Sequence, residues 1–232
     1  MYVSVFLGPQ GAGKDTQARL LEKQGIIKSF SVGDILREAG KSDKALQALL
    51  DAGQLVPSDK LSKVLSDFFK NKTFSQNLKH IVLTGFPREV SQIYILVDLM
   101  KVTGWEFGLL FNLKLDRRTV LERISSRYIC PKCGAVYNLK TNPPKHGLVC
   151  DYDGTKLIKR TDDQNVEAIT TRLNRFDTQS VPVINLFRKY GCVVDIDANR
   201  SIDDIYRDIL HVFYKFPEYK QKCRFNDLAK SL

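Results

Sequence analysis

The chain has 232 residues, 43% hydrophobic and 27% charged, which is enough for a sizeable core and is the size of one domain carrying insertions. No apolar run reaches the roughly 18 residues that a membrane helix needs, and no basic-then-apolar leader opens the chain, so the composition predicts one soluble, cytoplasmic body. A net charge of +10 suits nucleic acid, an anionic membrane surface or a site crowded with anionic groups, and does not choose among them.

Residues Tyr2 to Leu7 are apolar or β-branched except for Ser4, and Gly8-Pro9-Gln10-Gly11-Ala12-Gly13 then breaks the pattern before helical spacing begins at Lys14. The reading is strand, glycine loop, helix. Further apolar runs at His80 to Leu83, Leu109 to Leu115 and Cys192 to Ile196, separated by amphipathic stretches, predict an α/β protein with a parallel sheet flanked by helices. Two segments interrupt the alternation. Residues Val32 to Lys60 read as entirely helical, with Leu46, Leu49 and Leu50 as an apolar stripe and Gly53 as a stop. Tyr128 to Arg160 instead holds cysteines, Pro143-Pro144 and a short β-like piece from Ala135 to Asn138. The tail from Lys215 to Leu232 reads as a basic, mixed-polarity extension forming a solvated surface helix.

Gly8-x4-Gly13-Lys14 between an apolar strand and a helix is a phosphate-binding loop: glycines let backbone N–H groups turn inward, and the helix N-terminus adds positive field. Lys14 would reach the β and γ phosphates. The usual motif has Ser or Thr directly after the lysine; here Asp15 intervenes before Thr16, and an acid so near phosphate is expected to point away.

Cys130-x2-Cys133-x16-Cys150-x2-Asp153 puts two close ligand pairs on two turns, the spacing of a structural zinc site with no open position for chemistry. His146 breaks that paired spacing. The remaining thiols, Cys192 and Cys223, lack partners at ligand spacing and read as small buried apolar residues with no function assigned.

Taken with Ser31-x-Gly33-Asp34-x-x-Arg37, Gly85-Phe86-Pro87-Arg88 and Asp162-Asp163, the loop resembles the adenylate kinases, and the cysteines resemble the zinc-lid members of that family. The resemblance covers nearly the whole chain. It implies a core of residues 1–30, 61–127 and 161–232, a monophosphate-binding insertion at 31–60 and a zinc-binding lid at 128–160. It also implies Mg-dependent transfer between ATP and AMP to give two ADP, by a monomer. By match to the family's positions, Lys14, Arg88, Arg123, Arg160 and Arg172 would be catalytic, because arginine keeps its charge and grips two oxygens in one plane. ATP would meet Gly11, Ala12, Gly13, Lys14, Asp15, Thr16, Arg123, Arg127, Val136, Tyr137 and Arg200. AMP would meet Ser31, Val32, Arg37, Gln54, Leu55, Val56, Gly85, Phe86, Pro87, Arg88, Gln92, Arg160 and Arg172. Asp162 and Asp163 would hold lid arginines or cap the following helix.

Two positions depart from the family pattern. Val32 replaces a common Thr near the acceptor base, which would relax the choice of AMP. Thr84 replaces the Asp that usually precedes Gly-Phe-Pro-Arg and helps hold magnesium through water, so charge for a hard cation is missing there. Other readings remain open. One is a kinase preferring CMP or UMP, against which Gln92 and the metal-binding segment speak. Another is a nucleotide-binding sensor with weak turnover. A third is a nucleic-acid-binding zinc module, which leaves Lys14 and the arginines unexplained.

Overall fold

The computed structural model describes residues 1–52, 54–70, 72–159, 163 and 166–232. Five parallel strands, β1 (Tyr2–Leu7), β2 (Lys28–Ser31), β3 (His80–Thr84), β4 (Glu106–Lys114) and β7 (Val193–Asp197), form one sheet in the order β2-β3-β1-β4-β7. The predicted apolar runs are four of these strands, with ends moved by a few residues. Val3, Val5, Phe6, Ile81, Leu83, Leu110 and Phe111 are all buried, as expected for strands covered on both faces. Ser4 is the polar exception. It lies where the β1–β4 register shifts, and its Oγ accepts the Leu109 N–H at 3.1 Å.

Helices α1 (Lys14–Lys23), α5 (Gln92–Thr103), α6 (Arg117–Ser125), α7 (Val166–Arg175), α8 (Val181–Lys189) and α9 (Ile202–Tyr214) accompany the sheet. A π-helical turn, Phe176–Ser180, joins α7 to α8. The segment read as entirely helical is broken into α2 (Val32–Gly40), α3 (Lys44–Asp51) and the start of α4 (Ser58–Lys70). The breaks follow local capping: Ser31 Oγ accepts the Asp34 N–H and Asp43 Oδ1 accepts the Leu46 N–H, so each side chain starts a new helix. The stop expected at Gly53 lies outside the described residues. Strands β5 (Arg127–Ile129) and β6 (Val136–Asn138) make a separate antiparallel hairpin that carries the cysteines.

The C-terminal segment corrects two expectations. The tail read as a solvated surface helix is helical but not solvated throughout: it forms two helices, α10 (Phe216–Lys220) and α11 (Phe225–Ser231), which bury Phe216, Phe225 and Leu228. Phe225 stacks on Phe107 with ring centroids 4.2 Å apart. Cys192 and Cys223, read as separate apolar thiols, form a disulfide across 31 positions. The chain returns to the start of β7 at this point, where the Arg224 N–H donates to the Tyr190 carbonyl at 2.9 Å. Among the described residues no helix is long and apolar enough to cross a membrane.

Candidate active site and metal centre

The loop from Gly8 to Gly13 leaves the C-terminal end of β1 and enters α1. At Gly8, with φ 147°, a Cβ would stand 2.5 Å from the Leu113 carbonyl oxygen, so a side chain there would push the loop off β4. Gly13, at φ 85°, precedes α1 and no side chain caps that helix, which leaves its N-terminal amides for an anion. Lys14 Nζ donates to the carbonyls of Gly8 and Pro9, both at 2.8 Å, and so folds over the loop. Loss of water around the ammonium lowers its pKa from 10.5 to about 8; Asp15 opposes this, while the charges of Arg88, Arg127 and Arg172 add to it.

Those three arginines therefore share an electrostatic site with Lys14, although they come from distant parts of the chain. Arg88 follows the cis Phe86–Pro87 peptide, and its Nε donates to the Gly85 carbonyl at 2.8 Å. Its own carbonyl accepts the Ser180 hydroxyl at 3.0 Å, which ties the π-helical turn to the site. Arg127 grips Asp163 with two hydrogen bonds, Nε to Oδ2 at 2.8 Å and Nη2 to Oδ1 at 2.6 Å, and Arg172 Nη1 lies 3.5 Å from the same Oδ1. The Asp163 side chain is only 1% exposed, so this carboxylate fixes the Arg127 guanidinium away from water and draws the more exposed Arg172 toward it. Arg123 Nη1 donates to the Gly11 carbonyl and Nη2 to the Arg200 carbonyl, each at 3.3 Å; desolvation lowers its pKa. Arg200 itself pairs with Asp208. Arg37 stands apart, paired with Asp34 on α2. Arg160 and Asp162 lie outside the described residues.

Asp15 turns toward the end of β3. The Thr84 hydroxyl donates to Asp15 Oδ1. The β3–β1 and β2–β3 registers place Thr84 beside Phe6 and Ser31, at the edge where β1 gives way to the loop, and its hydroxyl supplies the donor that fixes the carboxylate there. Asp15, Ser31, Asp34 and Thr84 line one cavity of about 170 Å³ with Arg19 and Glu22. Magnesium takes oxygen ligands and keeps much of its water, and Asp15, Thr16 on the next residue and Thr84 bring such oxygens to the loop.

On the expected acceptor side, Val32 is buried at the start of α2 behind its cap Ser31, and Gln54, Leu55 and Val56 lie on the link before α4, with Val56 buried. Gln92 is buried and its Oε1 accepts the Arg88 N–H at 2.9 Å, so its oxygen orients the Arg88 backbone. Val136 and Tyr137 are on β6. The Tyr137 ring belongs to the hairpin core, its hydroxyl 3.5 Å from Cys150 Sγ, which leaves its backbone for a nucleotide. Sequence reasoning missed Ser180, and also Arg19 and Lys23 of α1. Arg19 Nη2 donates to the Gly134 carbonyl at 2.8 Å and Lys23 Nζ to Tyr152 Oη at 2.9 Å. Ordinary helix-surface cations carry no signal of such contacts.

The hairpin repeats one turn twice. In the first, the Cys130 N–H donates to Ala135 O and the Gly134 N–H to Cys130 O; in the second, the Cys150 N–H donates to Thr155 O and the Gly154 N–H to Cys150 O, all at 2.8–3.0 Å. Asp153 therefore occupies in the second turn the place of Cys133 in the first. The four donor atoms lie within 4.8 Å of one another, with Cys133 Sγ 3.6 Å from Cys150 Sγ and Cys130 Sγ 3.3 Å from Asp153 Oδ2. Tetrahedral zinc with Zn–S bonds of about 2.3 Å needs ligand atoms roughly 3.7 Å apart, so the set fits a structural zinc ion. His146 is not part of it.

The family model described as "Adenylate kinase" matches residues 6–192. An adenylate kinase of Caldanaerobacter subterraneus subsp. tengcongensis is 36% identical over 209 residues, covering 88% of this chain and 93% of that protein. An adenylate kinase of Methanosarcina barkeri is 36% identical over 217 residues, covering 91% and 98%. One of Bacillus pumilus is 36% identical, covering 88% and 94%. With its phosphate loop, the arginines gathered about Lys14 and this likeness along most of its length, the chain belongs to the adenylate kinase family.

Proposed function

We propose that this enzyme transfers the γ-phosphoryl group of ATP reversibly to AMP, giving two ADP. The observation that carries the reading is the glycine loop with Lys14 folded onto its carbonyls, together with Arg127 and Arg172 gathered on the buried Asp163 carboxylate. An AMP phosphate oxygen attacks the γ-phosphorus as its bond to the β–γ bridging oxygen breaks, and negative charge passes to the departing β-phosphate. Lys14 and the loop amides hold that departing group. Arg88 and Arg172 align the acceptor phosphate, and Arg123 and Arg127 align the donor; Arg37 joins the acceptor side and Arg160 the lid side. Cations already fixed by Asp163 and by the Gly85 carbonyl need little rearrangement as charge shifts. Magnesium, when bound with ATP, would neutralise phosphate charge, held mainly by phosphate oxygens and water with Thr16 nearby.

In this reading residues 31–60 are the acceptor insertion, 128–160 the lid, and the rest the core. Zinc, held by Cys130, Cys133, Cys150 and Asp153, would staple the lid and take no part in chemistry. Closure of both parts would exclude water and favour transfer over ATP hydrolysis. Gln92 would present its amide nitrogen to the acceptor base, favouring AMP. The reading places a monomer in the cytoplasm, with no nucleic acid or membrane partner. The test mixes protein, ATP and magnesium with AMP, CMP, UMP or GMP and follows diphosphate formation, with Lys14→Ala as control. Rapid ADP formation with AMP, lost in the variant, is expected. Folded, zinc-loaded protein without turnover on any acceptor would leave a nucleotide sensor instead.

A further inference from the structure

A carboxylate directly after the phosphate-loop lysine is an unfavourable neighbour for a polyphosphate unless a cation lies between them. Three carboxylates, Asp15, Glu22 and Asp34, line the cavity between α1, the end of β3 and the start of α2, with Arg19 as its one lining cation. Glu22 is paired with Lys28 and Asp34 with Arg37, whereas Asp15 forms no ion pair among the described residues. Its Oδ1 accepts the Thr84 hydroxyl, from a residue 69 positions away at the end of β3, and Oδ2 receives no protein donor among the described residues. Thr84 is 3% exposed, so its hydroxyl is held firmly and can aim the carboxylate. Lys14 turns the other way, onto the carbonyls of Gly8 and Pro9. The arrangement therefore offers one oriented carboxylate oxygen, without a direct ion pair among the described residues, one position after the phosphate-loop lysine, which matches the demand of a hydrated divalent cation for an anionic acceptor of its water hydrogens.

We propose that Asp15 is the positioning residue for the metal–nucleotide complex, accepting a hydrogen bond from metal-bound water, with Thr84 as the donor that orients it. The negative charge this task requires is thus carried by the first turn of α1, while the strand end contributes only a hydroxyl. The inference rests on the phosphotransfer reading, but its test uses binding in the absence of AMP and needs no turnover.

Mn²⁺ affinity for the protein–ATP complex is measured from the paramagnetic resonance of free Mn²⁺, and ATP affinity is measured in chelator without metal. Asp15→Asn, nearly isosteric and still able to accept from Thr84, is expected to weaken Mn²⁺ binding about tenfold, while metal-free ATP binding holds or tightens. Asp15→Gly combined with Thr84→Asp moves the carboxylate onto β3 and is expected to restore Mn²⁺ binding to within about threefold of the parent. Thermal unfolding of each variant checks that it folds, and the double variant gives a second reading should Asp15→Asn fail to fold. Unchanged Mn²⁺ affinity in Asp15→Asn, an equal loss of ATP affinity with and without metal, or no rescue by the double variant would overturn the proposal. A parent protein that binds Mn²⁺ and ATP in this pattern yet forms no ADP would sink the kinase reading and leave the role of Asp15 standing.

Discussion

The cysteine hairpin and the C-terminal arm both depend on sulfur, but they bury different amounts of apolar side chain. The hairpin's own core is Ala135, Tyr137 and Leu157 beside Cys130 and Cys150, with Tyr128 packed against it. The arm inserts Phe216, Phe225 and Leu228 into the core around the sheet, where Phe225 meets both Phe107 and Phe187. A cross-link takes the place of a core in the first region and adds to an existing core in the second. The number of residues each region can bury against the sheet explains the difference, since so small a cluster cannot offset the ordering of its own backbone.

Metal removal is the strongest way to break this comparison. Chelation is expected to unfold the hairpin alone and to cut ADP formation by about a hundredfold or more, because Arg127 and the lid contacts lose their geometry. Hydrogen exchange should show the hairpin amides opening while those of β1, β3 and β4 stay protected, and zinc should reverse the change. A metal-free hairpin that stays protected would show that its apolar residues suffice. Next in size, Phe225→Ala is expected to cost about 4 kcal/mol in urea unfolding through the cavity it leaves, with turnover retained at 25 °C. Cys223→Ser should cost less, about 3 kcal/mol, because α11 keeps its apolar contacts without the bond; a larger loss than for Phe225→Ala would mean that the arm depends on its cross-link as the hairpin does. Smallest is Arg19→Ala, which removes a contact between α1 and the hairpin near the protein surface. It should change activity by at most about fivefold and leave the urea midpoint nearly unmoved.

The sequence carried the parts whose cause is local. Strands β1, β3 and β4 were legible because burial on both faces leaves a nearly unbroken apolar run, the edge strand β7 because Val193, Val194 and Ile196 still cluster, and the metal ligands because each pair lies within one turn. Strand β2, Lys-Ser-Phe-Ser, was not legible: it is an edge strand paired with β3 alone, and its residues are partly exposed. The Cys192–Cys223 bond and the Asp15–Thr84 contact were missed for a shared reason. Each is decided by a residue far along the chain, Cys223 arriving on the arm and Thr84 arriving on β3. Likewise Asp163 could be read as a helix cap or an arginine partner, and the guanidinium that grips it, Arg127, comes from the hairpin's first strand.

The position of Lys14 also makes nucleotide capture a proton-linked event. With its pKa lowered to about 8, the ligand-free ammonium gives up its proton as pH rises through that value, whereas polyphosphate favours the charged form and draws the pKa back toward 10.5. Between those limits each nucleotide that binds should bring a proton in from solution, and affinity should decline as hydroxide increases. Calorimetry near pH 8.5 in two buffers of different ionisation enthalpy would register this uptake as a buffer-dependent heat, absent in Lys14→Ala. A cell whose pH drifts upward would then find the enzyme's nucleotide saturation falling with no change in nucleotide concentration.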